Sequence, residues 1–330
     1  MDKIRAIALS LRKDYNPKKF LEVIKKGMED SLLEKQLLNK AEEVLKECEK
    51  KGWWVKTLFE RDFPSDFFKI ENPPFVLFGI GNQKFGDFNF GIIGTRKPTV
   101  YGKKNARIFA RQLAEGGLCI VSGGARGIDT EIHKGVLEVR GRTICILGSG
   151  FKHLYPPENR SLFGKIVDNG GTILTEFPPD TRPFKYNFPF RNRLISAISK
   201  GVLVIEASMK SGTFSTVNWA LSQGKEIFAL PGPVDSKQSE GTNYLIKEGA
   251  HCVISPTDIL SFYGIETNRR KIRLTKEEES ILAFLKNPKD IEELVEITGK
   301  PLPLLYTIIF SLQIKGVVQS LPGGKYTALI

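Results

Sequence analysis

Leu118-Cys-Ile-Val-Ser-Gly-Gly-Ala-Arg-Gly-Ile-Asp-Thr-Glu-Ile-His-Lys-Gly135 joins an apolar run to a glycine turn and then to a helical pattern. Residues 118–121 are apolar without alternation, as in a strand covered on both faces. Ser122, Gly123, Gly124, Arg126, Gly127 and Asp129 lie in the turn, and a helix is expected over 129–138. The same rhythm continues in both directions. Strands are expected over 75–78, 90–93, 143–147, 172–175, 202–205, 226–229 and 251–254. Helices are expected over 103–115, 158–168, 192–199, 213–222 and 243–247. Such alternation predicts an α/β fold with a Rossmann-like, doubly wound, mostly parallel sheet.

Open sheets of this kind bind ligands outside the carboxyl ends of their strands. Here those ends carry Gly91-Ile-Ile-Gly94-Thr95-Arg96, the 122–129 turn, Gly148-Ser149-Gly150 and Lys210-Ser211-Gly212-Thr213. Glycine lets the backbone approach an anion, and free N–H groups at a helix start point toward it. One such loop is equally well a tight turn. Several on one rim, two with an embedded arginine, predict a phosphate-binding face. A dinucleotide site would need an acid about twenty residues after the first glycine, and an ATP site a GxxxxGK[ST] loop. Neither pattern is present, so no cofactor is expected.

The segment Arg182-Pro-Phe-Lys185-Tyr-Asn-Phe188-Pro-Phe190-Arg191-Asn192-Arg193 alternates aromatic with basic and polar residues. Aromatic rings stack on unpaired bases while lysine and arginine follow the phosphates. Core packing is the competing use of the phenylalanines. With a helix starting near residue 192, Arg191 and Arg193 would oppose its macrodipole, which suggests an anion beside them. Charge agrees with an anionic partner. The 330-residue chain has a net charge of +12. Residues 66–264 carry 24 lysines and arginines against 17 acids, a net of +7.

Together GTRKPTVYG, VSGGARGIDTEIHKG, ILGSGFKHLYPPENRSLF, TEFPPDTRPFKYNFPFRNRLISAIS, VIEASMKSGTFSTVNWALSQGKEIFALPGPV and GTNYLIKEGA resemble the DNA-processing protein A family (DprA, also called Smf). The resemblance covers roughly residues 60–265. The resemblance implies a cytoplasmic, non-enzymatic protein that binds incoming single-stranded DNA during natural transformation, protects it and loads the RecA recombinase. It also implies a homodimer formed through the Rossmann-like domain. Carried onto this chain, the DNA pocket would comprise Arg96 with Gly94 and Thr95, the 122–129 turn, Lys185, and Phe188, Phe190, Arg191, Asn192 and Arg193. Lys210, Ser211, Gly212 and Thr213 are added from their own glycine loop.

A phosphoribohydrolase-like enzyme on a related sheet is the alternative. Its signature is PGGxGTxxE, with a catalytic glutamate. Gly212 and Thr213 match, but Met209-Lys210 replace the glycines and Thr216 replaces the glutamate. A hydroxyl cannot take over a carboxylate's proton transfer unaided.

The flanks complete the layout. Residues 1–62 read as a helical N-terminal domain, 63–264 as the Rossmann-like DNA-binding domain and 265–330 as a winged-helix domain, with a polar linker over 264–273. Helices over 275–286, 290–298 and 301–314 precede two short strands around Pro322-Gly323-Gly324. The last helix has one basic residue at its end, so a protein-contact or packing role is expected there rather than groove reading. The N-terminus lacks a signal-peptide pattern, and no apolar run is long enough for a membrane span. Cys48, Cys119, Cys145 and Cys252 form no pair motif, and Cys119 and Cys145, in strand-like apolar runs, are expected as small buried residues in a reducing environment. No metal-ligand spacing occurs among His133, His153 and His251.

Overall fold

The computed structural model describes residues 2–12, 14–265 and 274–328. The chain divides into two compact units, Met1–Glu266 and Thr267–Ile330. Most of the linker expected over 264–273 lies outside the described residues.

The first unit opens with α1 (Lys3–Ser10), α2 (Pro17–Lys25) and α3 (Lys35–Lys51). Asp2 and Asn16 cap α1 and α2 by accepting backbone N–H bonds from Arg5 and Lys19. The chain then enters the sheet through β1 (Trp54–Thr57), β2 (Val76–Gly81) and β3 (Asn89–Ile93). From there strands and helices alternate: α4 (Val100–Glu115), β4 (Cys119–Gly123), α5 (Ile128–Glu138), β5 (Thr143–Ile146), α6 (Arg160–Asp168) and β6 (Thr172–Thr175). They continue as α7 (Asn187–Ile198), β7 (Gly201–Val204), α8 (Thr213–Ser222), β8 (Glu226–Ala229), α9 (Glu240–Lys247), β9 (His251–Cys252) and α10 (Pro256–Phe262).

The sheet order is β1-β2-β6-β5-β4-β3-β7-β8-β9. Pairing from β6 to β9 is parallel, and β1 and β2 are added antiparallel at one edge. The doubly wound, mostly parallel expectation therefore holds, with β1 as an additional strand. The chain runs from β3 outward through β4, β5 and β6, then returns to place β7 on the other side of β3. That reversal opens a crevice at the carboxyl ends of β3 and β7, where ligands of this fold class sit.

The expected break between residues 62 and 63 is not a boundary between compact units. Ala6, Ile7, Leu9, Phe20 and Ala41 share one buried cluster with Phe75, Val76 and Phe78 of the sheet region. Tyr15 seals the junction, accepting the Phe75 N–H at 3.1 Å and packing edge-on against Phe20 and Phe75. Cys48, Cys119 and Cys145 are buried free thiols, whereas Cys252 is exposed on the edge strand.

The second unit has its own core. Helices α11 (Lys276–Phe284), α12 (Ile291–Thr298) and α13 (Leu302–Ile314) enclose Ile281, Leu294, Leu305 and Ile309. Strands β10 (Val318–Leu321) and β11 (Lys325–Ala328) pair as an antiparallel hairpin, and Lys289 bridges to Tyr326. Three helices closed by a hairpin form a winged helix. No helix among the described residues is long and apolar enough to cross a membrane.

Candidate nucleic-acid interface

The crevice at the β3–β7 reversal holds a cavity of about 900 Å³. Gly94, Thr95 and Arg96 enter it from the end of β3, Ala125 and Asp129 from the β4–α5 turn. Ser211, Gly212 and Thr213 come from the start of α8, Lys185 from the segment leading into α7, and Phe188, Arg191 and Asn192 from the first two turns of α7 itself. Among the described residues five cations line it, Arg96, Lys97, Lys185, Arg191 and Lys237, against the single carboxylate of Asp129. Concave, cation-rich walls focus a positive potential.

Arg96 is exposed, and its guanidinium lies 5.0 Å from the centre of the Phe188 ring. Phe188 in turn meets Tyr155 at 5.8 Å between ring centres. The wall thus combines a flat apolar face with positive charge. The α7 segment is pinned from below by Asn187, whose amide is buried and donates to the carbonyls of Gly148 and Arg182 at 3.0 and 3.2 Å.

The glycine turn does something other than offer free N–H groups to a ligand. Ala125 N donates to the Asp129 carboxylate at 3.2 Å, and Ile128 N donates to the Thr95 carbonyl at 3.1 Å. The anion at this helix start is the protein's own. Gly127 has a φ of 81°, and a Cβ there would lie 2.5 Å from the Thr95 carbonyl oxygen. Gly123 is required by close approach, since a Cβ would meet Asp129 Oδ2 at 2.6 Å and Arg191 Nη2 at 2.7 Å. Ser122 is fully buried and donates to the Ile92 carbonyl at 2.7 Å. Neither Ser122 nor Gly123 nor Gly124 lines the cavity.

Asp129 and Arg191 are both buried and lie close together in the cavity lining, on either side of Gly123. Burial pushes the Asp129 carboxyl up to about 6, with Arg191 opposing. Burial likewise lowers Arg191, with Asp129 opposing. Arg191 also donates to the Ile146 carbonyl, and its Nε donates to Asn192 Oδ1 at 3.2 Å. Behind Asp129 and Arg191, burial holds His133 down at about 4, between the Gly123 carbonyl and the Thr143 hydroxyl.

Arg193 departs from the expectation that it faces DNA. Its side chain is completely buried and forms a two-pronged ion pair with Glu176 at 2.5 and 2.6 Å. It also donates to the Asn72 carbonyl at 2.8 Å and lies 3.7 Å from the Phe190 ring centre. Arg193 and Phe190 therefore brace α7 from the side away from the cavity. Contrary to the expectation of a helix starting near residue 192, α7 begins at Asn187, so both arginines fall beyond its first turn and neither opposes the macrodipole there. Arg126 is exposed but turns away, pairing with Glu158 and lying 5.5 Å from the Tyr155 ring centre. It opens on a neighbouring groove shared with Lys103, Arg107 and Lys134. Lys210 is exposed outside the lining set.

Sequence reading missed Lys97, Tyr155, Ser208, Lys237 and Gln238, all of which line the cavity. Lys97 and Lys237 follow β3 and β8, so the carboxyl-end rule could have found both. Thr216, in the position of the alternative's glutamate, is buried in the lining. Among the described residues no cluster of three or more His, Cys, Asp or Glu is placed to hold a metal.

Residues 54–264 match the family model described as DNA recombination-mediator protein A. Protein Smf of Escherichia coli is 36% identical over 276 residues, covering 79% of this chain and 74% of its own length. The X-ray structure of DNA processing protein A from Streptococcus pneumoniae superposes with a TM-score of 0.67 at 29% identity, covering 79% of this chain and 98% of that one. DNA processing protein A of Helicobacter pylori, solved for its single-stranded DNA binding mode, gives a TM-score of 0.58 at 33% identity over 63% of this chain and 95% of that one. With its sheet order, its cation-lined crevice and a family match from β1 to the end of the sheet unit, the chain belongs to the DNA recombination-mediator protein A family.

Proposed function

We propose that this protein binds single-stranded DNA in the β3–β7 cavity, protects it and passes it to a RecA-type recombinase during transformation or recombination. The observation that carries the reading is the lining: five cations against one carboxylate among the described residues, with Phe188 under Arg96. Phosphates meet Arg96, Lys97, Lys185 and Lys237, and a base stacks where Phe188 is exposed. The single-stranded DNA binding mode of the Helicobacter pylori relative supports the ligand class. Arg126 and Lys210, outside the cavity, extend the charge for a longer strand. A homodimer through the Rossmann-like domain is part of the proposal. The exposed Ile254 and Phe262 beside edge strand β9 offer an apolar surface for it.

A hydrolase reading is disfavoured by Thr216, which has no acid to give. Duplex reading by the winged helix is disfavoured by α13, whose exposed side chains include Leu302, Tyr306, Phe310 and Ile314. Fluorescence anisotropy with labelled oligo-dT and a duplex of equal length, at two salt concentrations, tests the proposal. Single strand should bind more tightly, with affinity falling steeply as salt rises. Equal affinity for duplex would overturn it. Strand-exchange assays with a RecA-type recombinase on protein-coated DNA test the delivery step, with faster filament formation expected.

A further inference from the structure

The segment entering α7 alternates between two sides. Pro183, Lys185 and Phe188 face the cavity, while Phe184 and Tyr186 do not line it. These two rings are instead exposed, at 47% and 70%, and lie parallel to within 4° with centres 5.6 Å apart. They sit on a fixed turn. Phe184 N donates to the Arg182 carbonyl at 2.9 Å, Asn187 N donates to the Phe184 carbonyl at 3.0 Å, and the buried Asn187 side chain anchors both ends. No carboxylate occurs between Thr181 and Arg193, whereas Arg182 precedes the rings and Lys185 lies between them.

We propose that Phe184 and Tyr186 form a base-stacking platform on the outer lip, a second subsite for unpaired bases of the strand where it leaves the cavity. This rests on the single-strand reading above. Two exposed rings in one plane orientation, among cations and without acids, match unpaired bases on a phosphate chain. An inserted base needs two stacking distances of about 3.4 Å each, more than the separation of these rings. The base therefore adds to the free face of Tyr186 rather than between the rings.

The test uses the full chain and end-labelled oligo-dT of increasing length. For oligomers long enough to cross the lip, Tyr186→Ala should weaken binding about tenfold, as removal of one stacking ring does elsewhere. The loss should be the same at every salt concentration, because no phosphate contact is removed. Oligomers that fill only the cavity should bind Tyr186→Ala as they bind wild type, and Tyr186→Phe should retain long-oligomer affinity. Abasic residues in the portion that crosses the lip should lower wild-type affinity to the level of the variant. This last arm decides the matter even where a Phe184→Ala, Tyr186→Ala double variant melts early. Unchanged long-oligomer affinity in the double variant, with Arg96→Ala still weakened, would overturn the platform alone. Failure of wild type to bind any oligomer would overturn the parent reading and the platform with it.

Discussion

Arg191 and Arg193 stand two residues apart on α7 and serve different ends. Arg193 is sealed against Glu176, so Arg193→Ala leaves a buried carboxylate without its partner and should cost about 3–5 kcal/mol of stability in urea unfolding. Arg96 is exposed on the cavity wall, so Arg96→Ala should leave the urea midpoint unchanged. It should weaken oligonucleotide binding and reduce the salt slope by about 1. The sequence could not separate these roles. Glu176 follows β6, and only the packing of β6 beside β5 brings it to α7. Asp129 was more legible, since an acid in the first turn of a helix commonly accepts loop N–H groups. Its proximity to Arg191 at the sheet end was not.

The Asp129–His133 neighbourhood also fixes a pH response. Asp129 has its pKa raised from 3.8 to about 6, so the stability it contributes is fully present below 3.8 and lost as pH rises through 6. His133 has its pKa lowered from 6.5 to about 4, so its contribution is present above 6.5 and lost as pH falls through 4. Each shift corresponds to about 3 kcal/mol, with opposite slopes over almost the same window. Wild-type stability from this pair should therefore be nearly flat between pH 4 and 6.5. In Asp129→Asn the histidine slope stands alone, and urea midpoints should fall steadily on acidification. A midpoint that stays flat in the variant would contradict the assignment. Protonating Asp129 removes the charge of the one carboxylate in the described cavity lining, so oligonucleotide affinity of wild type should rise below pH 6.

At the scale of elements, α7 is the piece the sequence reading misplaced most. Phe188-Pro189-Phe190 suggested an irregular loop, yet Pro189 falls in the first turn of the helix, where its missing N–H costs nothing. The anchor is Asn187. Asn187→Ala removes two side-chain bonds to backbone carbonyls, one of them buried, and should cost about 1–3 kcal/mol. Because the same residue holds Lys185 and Phe188 in place, the variant should also lose affinity for oligo-dT when assayed well below its melting temperature. β1 escaped notice because Trp54–Thr57 is short and directly follows a helical run. The strands from β3 to β8 were legible because continuous apolar runs flanked by glycine leave few other solutions.

For the molecule as a whole, the two compact units have separate cores, and the cavity lining is drawn entirely from the first. A fragment ending at residue 265 should fold and bind oligo-dT within about twofold of the full chain, since every residue that lines the cavity remains. Loss of binding in a folded fragment, by circular dichroism and anisotropy, would place DNA contacts on the winged helix instead. The N-terminal helices share the core of the sheet unit, which their sequence does not disclose. Amphipathic helices look alike whether they pack on one another or on a sheet.

The reversal of strand order at β3 and β7 has a consequence for biosynthesis. The walls of the cavity are gathered from Ile93 through Gln238, so no shorter stretch of the chain contains the site. A polypeptide emerging from the ribosome carries Arg96 and the glycine turn early but has no opposing wall until β7 and β8 are laid down. On the proposed function, a chain that still lacks β7 and β8 has no complete site for nucleic acid, so binding competence would be acquired only when the sheet is finished.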